Sequence, residues 1–157
     1  MRTLNMWTST FVAALTLAAC GGSDTAPVAA TTTTITGNAV KGPVTGATVT
    51  IKNAATGAVL VTTTTEKDTG FYSVPTTFNG DVLIEVSGGS YTDESSGQVV
   101  SLAAPLRTVL TASGGTVTGM VTPLTTMAYA YSGSTAPTAA VFNTSAAKIA
   151  TGLGLGT

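Results

Sequence analysis

The chain contains no histidine, one cysteine (Cys20) and very few charges: Asp, Glu, Lys and Arg together make up 8% of its 157 residues. An average globular protein carries about 25%. Without imidazole, and with a single thiol, the sequence holds no internal disulfide and none of the usual nitrogen–sulfur sets for a transition metal or zinc. Six basic residues, nowhere clustered, against seven acidic ones give a net charge of −1. Nucleic acid calls for a basic footprint, so it is not an expected partner. Aromatic residues are also scarce, at 6%. The longest apolar run lies between Trp7 and Leu17. It falls short of the roughly 20 residues that span a bilayer as a helix.

What is present is concentrated in kind. Thr, Ala, Gly and Val dominate; Thr hydroxyls keep a surface wet without charge, and β-branched Thr and Val favour extended backbone. The length suits one compact domain plus a tail.

The N-terminus has its own pattern. Arg2 precedes the Trp7–Leu17 run, and small residues lead to Cys20, which is followed at once by Gly21-Gly22-Ser23. A positive end, a short apolar stretch and a small-residue junction mark a secretory signal rather than folded structure. Leu17-Ala18-Ala19-Cys20 resembles the lipobox of bacterial lipoproteins. The resemblance implies a signal peptide over residues 1–19, diacylglycerol on the Cys20 sulfur, cleavage before it and acylation of the new N-terminus. Two or three chains anchor durably where one binds only marginally. The expected partner is therefore a membrane, held through lipid. Gly21 stands where an Asp would, in the enterobacterial sorting rule, favour inner-membrane retention. The expected location is thus the outer membrane of a bacterial envelope, on its periplasmic face or at the cell surface. Residues 20–32 then form the lipidated cysteine and a flexible tether rich in Gly, Ser, Thr and Ala with Pro27, about 20 Å in root-mean-square span.

From Thr33 the pattern changes. Strands are expected at 33–40, 47–53, 59–65, 71–75, 82–87, 98–102, 106–110 and 116–121, separated by turn-forming Gly, Pro, Asn and Asp. Ala47, Val49 and Ile51 alternate with Thr48, Thr50 and Lys52; Val82, Ile84 and Val86 alternate with Asp81 and Glu85, while Leu83 blurs the outer face. Such spacing over residues 33–122 predicts a mostly β protein, a seven- to eight-stranded antiparallel sandwich. Gly37-Asn38-Ala39-Val40-Lys41-Gly42-Pro43-Val44, Gly46-Ala47-Thr48-Val49-Thr50-Ile51, Gly57, Thr64-Thr65 and Gly70-Phe71-Tyr72 are similar to the carboxypeptidase regulatory-like, or transthyretin-like, domain. Those are turn and core positions. The resemblance implies an accessory or adhesion-type sandwich and carries no catalytic signature.

Residues 123–157 form a helical tail. Thr122-Pro123 reads as an N-cap and first helical residue, followed by a helix to Tyr131; a second helix is expected over 138–151, with Val141, Phe142, Ser145 and Ile149 on one side. With so few large apolar residues of its own, the tail is expected to pack poorly, the sandwich closing near Thr126. It reads equally as the start of a larger lipoprotein whose activity lies in further sequence.

Candidate chemistry is thin. Asp81 and Glu85 share a strand face but are roughly 13 Å apart along it. A glycosidase pair needs about 5–9.5 Å. Asp93 and Glu94 share a loop with Ser95 and Ser96, an oxygen-rich setting for Ca²⁺ but without EF-hand spacing. Ser145-Ala146-Ala147-Lys148 matches a Ser-x-x-Lys motif without its companions. Lys41 and Lys52 find no late-strand Asn for an isopeptide bond. Tyr72, Tyr91, Tyr129 and Tyr131 could stack on sugars or fill the core. The expectation is a non-enzymatic protein without cofactor, with no catalytic or metal residue, Cys20 as its modified residue, and a structural or interaction role toward an unknown protein or glycan. A carbohydrate-binding module is the third reading.

Overall fold

A computed structural model describes residues 31–155. Cys20, the expected signal peptide over 1–19 and most of the expected tether lie outside the described residues.

Nine strands and two helices follow in order: β1 Thr33–Asn38, β2 Thr48–Asn53, β3 Val59–Thr64, β4 Phe71–Thr76, β5 Gly80–Ser87, β6 Ser90–Thr92, β7 Val99–Ser101, β8 Leu106–Ala112, β9 Gly115–Thr118, α1 Pro123–Tyr131 and α2 Ala139–Gly152. A three-stranded sheet, β4-β1-β9, faces a four-stranded sheet, β3-β2-β5-β8; β6 and β7 form a separate ribbon. The sandwich is not wholly antiparallel. β1 pairs antiparallel with β4 and parallel with β9, Thr33 opposite Gly115 and Thr36 opposite Thr118. A parallel neighbour needs a long crossover, and here most of the domain is that crossover, so no local pattern announces it.

Alternation determines what is inside. Val49, Ile51, Val82, Ile84 and Val86 are fully buried and meet Ile35, Tyr72 and Val74 of the opposite sheet. Buried polar groups are paired: the Thr33 hydroxyl accepts from the Gly114 amide at 2.8 Å and that of Thr65 from the Ala47 amide at 2.9 Å. The Tyr72 phenol, deep between the sheets, donates to the Gly119 carbonyl, and burial pushes it well above the ordinary tyrosine pKa.

The helices start where the sequence indicates. Thr122 caps α1 with a reciprocal box, its hydroxyl accepting from the Thr125 amide while the Thr125 hydroxyl accepts from the Thr122 amide. Thr138 caps α2. The expectation that this segment packs poorly is corrected. Ala128, Ala139 and Phe142 are buried in a second cluster with Ala54, Leu83 and Val109 on the outer face of the four-stranded sheet. Leu83, which broke the alternation of β5, is 8% exposed beneath the helices. The apolar inventory of the tail was half of the interface; the sheet supplies the other half. Val141, expected on the packed side, is exposed. No helix among the described residues is long and apolar enough to cross a membrane.

Candidate functional site

The polar groups of the outer sheet face are held by the fold. Asp81 accepts from the Thr111 hydroxyl at 2.6 Å and from the Ala139 amide, at the start of α2, at 2.9 Å. Glu85 bridges two cations, Lys52 Nζ and Arg107 Nη2, each at 2.8 Å. Partial burial alone would raise its pKa, but hydrogen bonds to Lys52 and Arg107, and their charges, outweigh that and hold it below the ordinary glutamate value. Arg107 also lies 5.4 Å from the centre of the Tyr129 ring, tying the triad to α1. Asp81 and Glu85 thus serve two separate joints and do not converge. Lys52, weighed for an isopeptide bond, is an ion-pair partner.

Asp93 and Glu94 form no cation cage. Asp93 Oδ1 accepts from the amides and hydroxyls of both Ser95 and Ser96 at 2.6–3.0 Å, which closes the turn between β6 and β7. Those bonds, the Ser95 hydroxyl foremost, lower its pKa to about 2. No cluster of three or more acidic, His or Cys residues that could hold a metal occurs among the described residues. In the Ser145–Lys148 pair, Ser145 is buried in the helical layer, whereas Lys148 is exposed with its ammonium 5.9 Å from the centre of the Tyr131 ring.

The four tyrosines divide. Tyr72 is core. Tyr129 donates to the Thr135 carbonyl at 3.1 Å inside the helical layer, and Tyr131 lies exposed on α1. Tyr91 lines a cleft formed by strand and turn residues of the sandwich, whereas Tyr131 borders a more open concavity along α2 with Thr144, Lys148 and Thr151. The Tyr91 cleft, about 270 Å³, runs between the β6–β7 ribbon, the 42–45 loop and the β3–β4 turn, and is lined by Pro43, Thr45, Asp68 and Val99 together with Ser90, Tyr91 and Thr92 of β6.

Its walls depend on close backbone approach. Thr45 and Ser90 exchange amide–carbonyl bonds at 2.8 and 3.0 Å, which draws the ribbon against the loop. A Cβ on Gly89 would come within 2.5 Å of the Thr45 carbonyl, and one on Gly42 within 2.9 Å of the Thr92 carbonyl. Both have positive φ, so glycine is needed on two counts. Asp68 also sits at positive φ, a conformation Asp tolerates better than most residues. The Lys41 ammonium lies 4.9 Å from the centre of the Tyr91 ring.

Sequence reasoning named Tyr91 and Lys41 but missed Asp68, Ser90 and Thr92. Asp68 read as a turn residue, and β6 went unseen because three residues between two turns carry no periodicity. The positive-φ Asp at the tip of a turn was the available signal.

No protein-family model matches the chain, and no curated protein matches it. Among solved structures it is similar to a crystal structure of BcpA, the major pilin subunit of Bacillus cereus, with 22% sequence identity and a TM-score of 0.40. The match covers 59% of this chain and 29% of that one, so the chain spans less than a third of that subunit's length.

Proposed function

We propose that the protein is a lipid-anchored β-sandwich of the bacterial envelope, held by acyl groups on Cys20 and carried on the 21–32 tether, with a structural or interaction role and no catalysis. The observation that carries the reading is Leu17-Ala18-Ala19-Cys20 directly ahead of a Gly/Ser/Thr/Ala tether and a β-rich domain. Two or three acyl chains supply the second signal that stable anchoring requires. The motif resemblance read over residues 34–126 to carboxypeptidase regulatory-like domains, which no family model matches, favours an accessory module. The ties of Asp81, Glu85 and Asp93 to structural partners support a non-enzymatic one.

The test is intact-mass analysis of the mature chain from a bacterial membrane fraction. Wild type should begin at Cys20 and carry diacylglycerol and an N-acyl group, whereas Cys20→Ala should accumulate as unmodified precursor. An unmodified mature N-terminus in wild type would overturn the reading.

A further inference from the structure

We propose that the cleft between the β6–β7 ribbon and the 42–45 loop binds one ring of a neutral saccharide. The inference goes beyond the anchored module and does not depend on the anchor.

The concavity beside Phe78 contains Asn53 and Asp81, but Asn53 accepts from the amides of Ala55 and Thr56, and Asp81 holds Thr111 and α2. In the β6–β7 cleft the situation is reversed. Across 31–155 the described hydrogen bonds and ion pairs engage neither the Asp68 carboxylate, the Ser90 and Thr92 hydroxyls, nor the Tyr91 phenol. The acceptors and rotatable hydroxyls of these four side chains suit a ligand that is itself a ring of hydroxyls, each able to donate and accept.

Charge narrows the class. One carboxylate, Asp68, lines the cleft, and one ammonium, Lys41, outside the lining, lies 4.9 Å from the centre of the Tyr91 ring. An anionic ligand meets Asp68 and a cationic one meets Lys41, so an uncharged ligand is the one that opposes neither. Apolar contact is also available from Pro43, the Tyr91 ring and Val99, which is 73% exposed. These offer carbon surface to the C–H face of a sugar. The cleft volume is about 270 Å³. Sites that enclose drug-sized ligands begin at roughly 300 Å³. The cleft therefore suits a single ring, with the remainder of a longer glycan in solvent.

The experiment is a glycan array probed with the full chain in detergent, followed by titration of the best neutral mono- or disaccharide. Binding to neutral saccharides is expected, with Kd on the order of 0.1–1 mM. Asp68→Asn keeps a residue that tolerates positive φ and removes the carboxylate; it should weaken binding about tenfold or more, as should Tyr91→Ala. Thermal melting shows whether each variant is folded, and Asp68→Asn carries the test if Tyr91→Ala is not. Cys20→Ala should bind as wild type does, so loss of the anchor and loss of the site are separable. Absence of binding to any neutral saccharide, binding of acidic glycans alone, or affinity unchanged in folded Asp68→Asn would each overturn the proposal.

Discussion

Along β5, Val82, Ile84 and Val86 disappear into the sandwich, whereas Asp81, Leu83 and Glu85, one residue out of step, each hold something different. Asp81 holds the first amide of α2, Leu83 carries the helical layer, and Glu85 clamps Lys52 and Arg107. The inner face works by volume: many aliphatic atoms, each interchangeable in kind, packed against the three-stranded sheet. The outer face works by address, with few contacts, each specific to one partner. Loss on the first face should therefore spread through the domain, and loss on the second should release one attachment.

The largest effect is expected inside. Ile84 is fully buried between the two sheets. Those sheets cannot easily close the gap left by Ile84→Ala, which should cost about 2–5 kcal/mol. A urea melt should show one cooperative transition moved to lower denaturant. Retention of the wild-type midpoint would mean that the strand faces the other way.

Phe142→Ala comes next, at about 3 kcal/mol, the low end for such changes. The helices can settle toward Leu83 and Val109, which limits the loss. Its signature should be local. Limited proteolysis should cut between Tyr131 and Ala139 well before the sandwich unfolds, whereas in wild type the two losses should coincide. Simultaneous loss in the variant would mean that the two faces act as one unit after all.

Glu85→Gln should cost about 1 kcal/mol at neutral pH, since the ion pairs are partly exposed. The folded pKa lies below the ordinary 4.5, so the stabilisation is complete above that value and is lost as pH falls through the lower folded one. The difference between wild-type and variant urea midpoints should therefore be present at pH 7 and shrink as pH falls below the ordinary glutamate value and through the lower folded one. A difference independent of pH would assign the effect to packing. Smallest of all, Thr50→Ala, on the outer face of β2, should stay within about 0.5 kcal/mol of wild type.

The comparison also shows what a sequence can disclose. Strict alternation at Ala47-Val49-Ile51 and Val82-Ile84-Val86 exposed the inner face, because burial by period two is a property of neighbours in the chain. The same alternation made Leu83 look like noise, when it marked a second layer. Recognising that required pairing Leu83 with Phe142, far along the chain, which no periodicity links. Capping was fully local and so was legible: Thr122-Pro123 and Thr138 begin their helices as expected. The cleft was the least legible part. Its residues come from a loop, a turn and a two-stranded ribbon far apart in the chain, and its walls meet only because Gly42 and Gly89 let the backbones approach.

The placement of β1 has a mechanical consequence. Six of its residues face β4 and four face β9, so the strand is gripped from both sides. A pull entering at Thr33 runs along the strand axis, with the bridging hydrogen bonds lying across it. The bonds are then loaded in shear and must yield together rather than open one after another like a zipper. Under the proposed anchoring, tension carried by residues 21–32 would reach the domain at a strand paired on both edges.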